Sequence, residues 1–382
     1  MAPSLRIALL VNPFTLHAKG GHHAPELARE LLGRGHTVRG FGAPPGTIPR
    51  SGSEPADGGP LDGDASVGLL GFEPDAVVAY DVLSPAAWLG ARTARKLEAP
   101  LLLVEVGAKS DDGWRGRALG RIGETLWGTY VRRTTAAVVA LDASGEERAL
   151  KHGFPRRRIS VLPAGVDLGV YRPGLTSGLI LRHHIRGRIL LYVGQLTHDR
   201  GLDVLIAAFA NTVGQRADWS LVIAGEGKAA PALRASIDRL GIGACVHWLG
   251  RPRDEELPGL MSASTLLAVP AIDDSVRGRQ LARAMACGVP VLASDLRNLA
   301  LLVQDDQTGL LAPAGDVRAW TEMLRRASMS PDARQRWSRN ARAVAEDRLG
   351  WPHVATKIES LLLAARGAPS PSPAAEPLPE TS

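Results

Sequence analysis

Apolar positions along the chain fall into two patterns. Short unbroken runs, RIALLVNP at 6–13, DAVVAY at 75–80, APLLLVEV at 99–106, AAVVAL at 136–141 and ISVLPAG at 159–165, predict strands buried on both faces, as in a parallel sheet. Segments of helical spacing stand between them. HAPELARELLGRGH at 23–36 puts Leu27, Leu31 and Leu32 on one face with Gly35 at its end, before a strand in TVRGF, and SPAAWLGARTARKLEA at 84–99 is a second such helix. The alternation predicts α/β architecture.

A second series begins beyond RPGLTSGLILRHHIRGR at 172–188. Strands are expected in ILLYVGQL, WSLVIAGEG, CVHWLGR, TLLAVPA and VPVLASD, and helices in GLDVLIAAFANTV, APALRASIDRLG, DVRAWTEMLRRA and the stretch from Ala333 to Arg366. The expected layout is an N-terminal Rossmann-like domain over 1–172, an interdomain crossing over 173–187 and a C-terminal Rossmann-like domain over 188–349. A helix over 350–366 then returns to the first domain, and a disordered tail rich in Pro, Ala and Ser covers 367–382. Residues 43–66, rich in Pro, Gly and acid, read as a mobile loop. Two open α/β domains facing each other would place a ligand cleft between the carboxyl ends of their strands.

Composition narrows the partners. With 382 residues, 45% hydrophobic but only 4% aromatic, the cores must be largely aliphatic. Lys and Arg outnumber Asp and Glu by 45 to 39, a formal charge of +6. That surplus suits a phosphate-bearing ligand or an anionic membrane face. Basic and aromatic residues do not interleave, and no zinc-finger or RNA-binding signature is present, so nucleic acid is not an expected partner. Cys245 and Cys287, far apart in sequence, read as buried thiols of a reducing compartment. The first apolar run is too short for a secretory signal, and none reaches the roughly 18 residues of a membrane span. The expected location is cytoplasmic, with peripheral membrane contact allowed by the charge.

Candidate chemistry concentrates in three glycine-bearing turns. In YVGQLTHDRGLDVLIAA, Gly194 ends a strand, and the helix beyond Gly201 offers unpaired N–H groups and a partial positive charge to a phosphate. Arg200, just before that helix, could clamp a diphosphate bidentately. The same residues also serve an ordinary strand–helix turn with a surface Arg. Gly225 lies in LVIAGEG, where most such turns are structural, and Lys19-Gly20-Gly21 follows the first strand where glycine lets a ligand approach. His22–His23 and His183–His184 are adjacent pairs without metal-ligand spacing. Of the aspartate pairs, Asp273–Asp274 alone follows a buried strand and precedes a helix.

Taken in order, KGGHHAPELARELLGRGHTV, VLPAGVDLGVYRP, YVGQLTHDRGLDVLIAAF, LVIAGEG, VHWLGRPRDEELPGLMSAS and RAMACGVPVLASDLRNLALLVQDDQTGLLAP resemble the family-4 glycosyltransferases over nearly the whole chain. The resemblance implies the GT-B fold, two Rossmann-like domains facing a central cleft. It also implies transfer of a sugar from a nucleotide-diphosphate sugar to an acceptor hydroxyl with retention, in polysaccharide or glycolipid synthesis. No cofactor or protein-bound metal is implied; the donor is a co-substrate, and the acceptor, a sugar or a lipid-linked one, is held by the N-terminal domain. Cationic groups must then neutralise the leaving diphosphate.

By the resemblance, Arg200 and Asp274 are the catalytic candidates, and Gly20, Gly21, Gln195, Arg200, Gly225, Arg251, Ser275 and Arg283 the donor-binding ones. The chain departs from the family at telling places. The family's basic pair falls on Gln195 and Arg200, and its two glutamates fall on Ser275 and Arg283, with Asp274 one residue away. A histidine common before a strand-end glycine is replaced by Val106. Carboxylates accept hydrogen bonds from hydroxyls, whereas Arg only donates. A second reading therefore stands beside the transferase: a catalytically degenerate GT-B relative acting as a binding or partner subunit.

Overall fold

The structure, a computed structural model, describes residues 3–11, 23–43, 47–49, 63–106, 127–214 and 218–367. The chain forms two compact units, Met1–Pro163 with Val354–Ser382, and Ala164–His353.

The first unit is built on six parallel strands: β1 (Arg6–Leu10), β2 (Thr37–Phe41), β3 (Ala76–Tyr80), β4 (Leu101–Glu105), β5 (Thr135–Ala140) and β6 (Ile159–Val161), in the order β2-β1-β3-β4-β5-β6. Its helices are α1 (His23–Gly33), α2 (Gly63–Phe72), α3 (Pro85–Lys96), α4 (Thr129–Thr134) and α5 (Ala143–Lys151). All five residues of β3 and of β4 are buried, which explains why their sequences are unbroken apolar runs. Ser84 starts α3 by accepting from the Ala87 amide, with Pro85 supplying the first helical φ.

The second unit repeats the plan. Its elements are α6 (Gly178–Arg182), β7 (Arg188–Val193), α7 (Leu202–Ala210), β8 (Trp219–Ala224), α8 (Ala230–Leu240), β9 (Val246–Gly250), α9 (Leu257–Ser262), β10 (Leu266–Val269), α10 (Arg279–Ala286), β11 (Val291–Ser294), α11 (Arg297–Ala300), β12 (Gly309–Ala312), α12 (Val317–Met329) and α13 (Pro331–Val344). The strands are parallel in the order β12-β11-β10-β7-β8-β9. Successive strand residues serve opposite cores. Leu191, Val222, Leu267 and Val291 pack with Leu260, Leu281 and Met285 on one face. Leu190, Leu221, Leu266 and Leu292 pack with Phe209, Ile237 and Trp320 on the other. Helices thus cover both faces of a doubly wound sheet. A π-type turn, Ala345–Leu349, ends at Gly350, and α14 (Trp351–Gly367) follows. From Val354 onward α14 packs in the first unit, where Glu359 meets Arg34 at 3.2 Å and His36 at 3.4 Å.

Several expectations shift. The units divide at Pro163/Ala164 and His353/Val354 rather than at 172/173 and 349/350. The reason is local bonding: Val166 bridges Gly350 and donates to the Leu349 carbonyl at 2.8 Å. The carbonyl of Tyr171 accepts from Arg342 of α13 at 3.2 Å. The stretch expected as a crossing contains α6, and α2 takes residues 63–66 of the expected loop; residues 44–46 and 50–62 of that loop lie outside the described residues, as does the tail from 368. β12 was not among the expected strands.

Candidate functional site

Each sheet reverses its strand order once, between β1 and β3 in the first unit, and the second unit's reversal carries the candidate side chains. The chain leaves β7 for β8 on one side and later inserts β10 on the other, so the order reverses between β7 and β10. In open α/β sheets a crevice forms outside the carboxyl ends of such a pair. Two loops meet there, 194–201 after β7 and 270–278 after β10.

Glycines bring these loops to backbone contact. A Cβ on Gly201, whose φ is +62°, would lie 1.8 Å from the Pro270 carbonyl oxygen. One on Gly225 would lie 1.8 Å from the Gly194 oxygen, and one on Gly227 would lie 2.2 Å from the Leu196 oxygen. The turns after β7, β8 and β10 therefore form one interlocked frame, closed by the Ile272 amide donating to the Asp199 carbonyl at 3.0 Å.

The side chains on this frame are polar. Arg200 is 13% exposed and pairs through Nε with Asp199 Oδ2 at 3.4 Å. The same oxygen accepts from Ser275 Oγ at 3.3 Å, tying the two loops together across 76 residues of sequence. Burial works to raise the Asp199 pKa, but hydrogen bonds from Thr197 and Ser275 and the charge of Arg200 outweigh it, so the carboxyl lies below its ordinary value. Ser275 is itself positioned by its amide donating to Asp273 Oδ1 at 2.9 Å. Tyr192, at the end of β7, donates its hydroxyl to the Gln195 carbonyl at 2.7 Å, and burial raises its pKa well above the ordinary phenol value.

The structure thus brings Arg200, Ser275, Gln195 and Gly225 into adjoining turns, with the Gln195 side chain exposed. Asp274, on the same loop as Ser275, is tied to α11: its Oδ1 accepts from the Asn298 amide at 3.2 Å, and its carbonyl accepts from Asn298 Nδ2 at 2.6 Å. Arg251 is exposed beyond β9, two strands from β7, or about 10 Å along the sheet. Arg283, in the second turn of α10, stacks its guanidinium carbon 4.9 Å from the centroid of the Tyr171 ring. Gly20 and Gly21 lie outside the described residues. Val106 is buried at the end of β4. Sequence reasoning overlooked Asp199 and Tyr192. The available signals were an acid directly before the arginine and a tyrosine at a buried strand end, whose hydroxyl must find a partner.

Comparison with known proteins adds the following. Residues 182–344 match the family model of glycosyl transferases group 1. D-inositol 3-phosphate glycosyltransferases of Mycobacterium tuberculosis (strain H37Rv) and Mycobacterium bovis (strain BCG / Pasteur 1173P2) are each 32% identical over 190 residues, 49% of this chain. The chain spans 39% of the length of these relatives. Among solved structures, Anabaena Alr3699/HepE in complex with UDP aligns with a TM-score of 0.72 at 18% identity, covering 94% of this chain and 100% of that one. A Rickettsia africae glycosyltransferase aligns with a TM-score of 0.74 at 14% identity, covering 95% and 99%. The second unit therefore carries the group 1 glycosyl transferase sequence match, on a chain whose α/β fold is that of GT-B glycosyltransferases.

Proposed function

We propose that the protein transfers a sugar from a nucleoside-diphosphate sugar to an acceptor hydroxyl, with retention of anomeric configuration, in polysaccharide or glycolipid synthesis. The observation that carries this reading is that the match over 182–344 contains the loop pair at the β7/β10 switch point, with Arg200 and Ser275 joined through Asp199. Support comes from the solved neighbours bound to UDP and to UDP-glucose, and from relatives named as glycosyltransferases.

In this reading the diphosphate sits at the amino end of α7, at the backbone N–H groups of Leu202 and Asp203. Arg200 engages Asp199 through Nε, so its two Nη groups face the task of stabilising charge that grows on the leaving diphosphate. No metal or cofactor is needed for that step. Gln195 and Arg251 donate hydrogen bonds to the donor. A sugar hydroxyl bonded to Asp274 would share a carboxylate that already accepts from Asn298. The acceptor, a sugar or lipid-linked hydroxyl, belongs to the first unit, in a cytoplasmic and peripherally membrane-bound setting. No helix among the described residues is long and apolar enough to cross a membrane.

A thermal-shift screen with UDP-, GDP- and ADP-sugars identifies the donor class, and calorimetry then compares wild type with Arg200→Ala. Losing one charge-assisted contact should weaken diphosphate binding by about 10- to 100-fold with an unchanged melting midpoint. Undiminished affinity removes Arg200 from the site. Absence of binding by every nucleotide sinks the transferase and leaves the partner-subunit reading. Transfer that appears only after Glu is placed at positions 275 and 283 would do the same.

A further inference from the structure

Beyond the loop pair, α10 carries positive charge that a diphosphate at α7 does not use. Arg279 and Arg283 stand one turn apart on the same face of α10, and Arg277 precedes the helix by two residues. Arg283 is fixed in place by the Tyr171 ring beneath it, 4.9 Å from the guanidinium carbon. Tyr171 is only 6% exposed, and its backbone carbonyl accepts from Arg342, whose own charge is met by Glu346 at 2.7 Å. An aromatic face steadies a cation without cancelling its charge, so the charge of Arg283 persists. Arg279 remains reachable from solvent. Its pKa is pushed below the ordinary value, by partial burial first and then by Arg283, with Arg277 adding to the repulsion. The carboxylate acting on it is Asp254. Two further guanidinium groups thus add positive charge around Arg279.

A helix face of this kind is a poor match for neutral hydroxyls alone, since guanidinium groups only donate. It matches a planar or tetrahedral oxyanion, which it can grip at two oxygens. We infer that Arg279 and Arg283 form a receiving site for an additional anionic group of the ligand, a carboxylate or a phosphate monoester, beyond the diphosphate itself. The inference rests on the donor reading above and deepens it. The preferred donor is an acid-bearing nucleotide sugar, with its extra charge on the sugar or on the ribose.

Calorimetry on the full chain tests this with matched pairs: UDP-glucuronate against UDP-glucose, GDP-mannuronate against GDP-mannose, and 2′-phospho-ADP-ribose against ADP-ribose. The acidic member of at least one pair should bind about tenfold tighter or more, the worth of one charge-assisted contact. The uronate pairs report a carboxylate on the sugar, and the third pair reports a phosphate on the ribose. In Arg279→Gln and in Arg283→Gln the ratio within that pair should drop below about threefold, while Arg283→Lys, which keeps the charge, retains part of it. Melting midpoints show whether each variant is folded. Equal affinities within every pair, with nucleotide binding intact, overturn the anion site and leave the donor reading standing. A preference that survives both glutamine variants also overturns it. Failure of all six compounds to bind overturns both.

Discussion

The carboxyl ends of the two sheets treat their polar groups in opposite ways. Among the described residues of the first unit, polar groups there are turned inward and bonded to one another. His23 Nδ1 and the Tyr80 hydroxyl share a hydrogen bond of 2.8 Å, and Glu105, only 1% exposed, accepts from the Val82 amide at 3.1 Å and pairs with Arg148 at 3.3 Å. Asp142 accepts from the Gly145 amide at 2.7 Å and so caps α5. In the second unit glycine backbone contacts join the side-chain bonds of Asp199 and Asp274 in bracing the loops, and Gln195, Arg251 and Arg279 stay exposed. A polar network that satisfies itself stabilises a fold but has little left to offer a ligand. A frame held by glycine contacts leaves its charges for one.

Four measurements would break or sharpen that contrast. The largest effect is expected from Gly225→Ala. Its methyl group would overlap the Gly194 oxygen, so unfolding by denaturant should show a loss of about 3 kcal/mol or more in the second unit. Glu105→Gln keeps an acceptor for Val82 but removes the charge facing Arg148. Because Arg148 is 35% exposed and partly screened, the cost should be about 2 kcal/mol, confined to the first unit, with nucleotide affinity unaltered. A fall in nucleotide affinity would contradict the inward role of Glu105.

The third measurement concerns pH. Burial holds the His23 pKa down at about 3, against 6.5 for an unhindered imidazole. The unfolded chain therefore binds a proton that the native one refuses between those values. This contribution to stability is complete above pH 6.5 and is lost as pH falls toward 3, by about 1.4 kcal/mol per pH unit. Replacement His23→Gln should flatten that slope in denaturation series at pH 7, 6, 5 and 4; an unchanged slope would assign it elsewhere. The smallest effect is expected at Arg251, exposed and two strands from β7. Arg251→Ala should alter stability by less than about 0.5 kcal/mol and nucleotide affinity less than Arg200→Ala does.

Sequence pattern made the sheets readable because buried parallel strands leave unbroken apolar runs. β12 escaped since its four residues, GLLA, are too few to stand out beside the polar DDQT before them. The helix α6 escaped inside a segment rich in His, Arg and Gly. Arg200 was legible from its place before a helix. The bond that ties its neighbour Asp199 to Ser275 was not, since nothing local in the sequence connects residues 76 positions apart. Position 283 is the clearest limit. The sequence shows an arginine where a carboxylate was expected, and only the fold shows the Tyr171 ring that supports it.

The contacts at Gly194 with Gly225, Gly201 with Pro270 and Gly227 with Leu196 have an evolutionary corollary. Main chains pressed oxygen-to-Cα cannot drift one at a time, so the scaffold of this pocket passes between descendants as a block. A residue that projects from it, such as the exposed Gln195, can be exchanged without moving that frame. New ligand preferences can then arise by swapping heads on an unaltered mould.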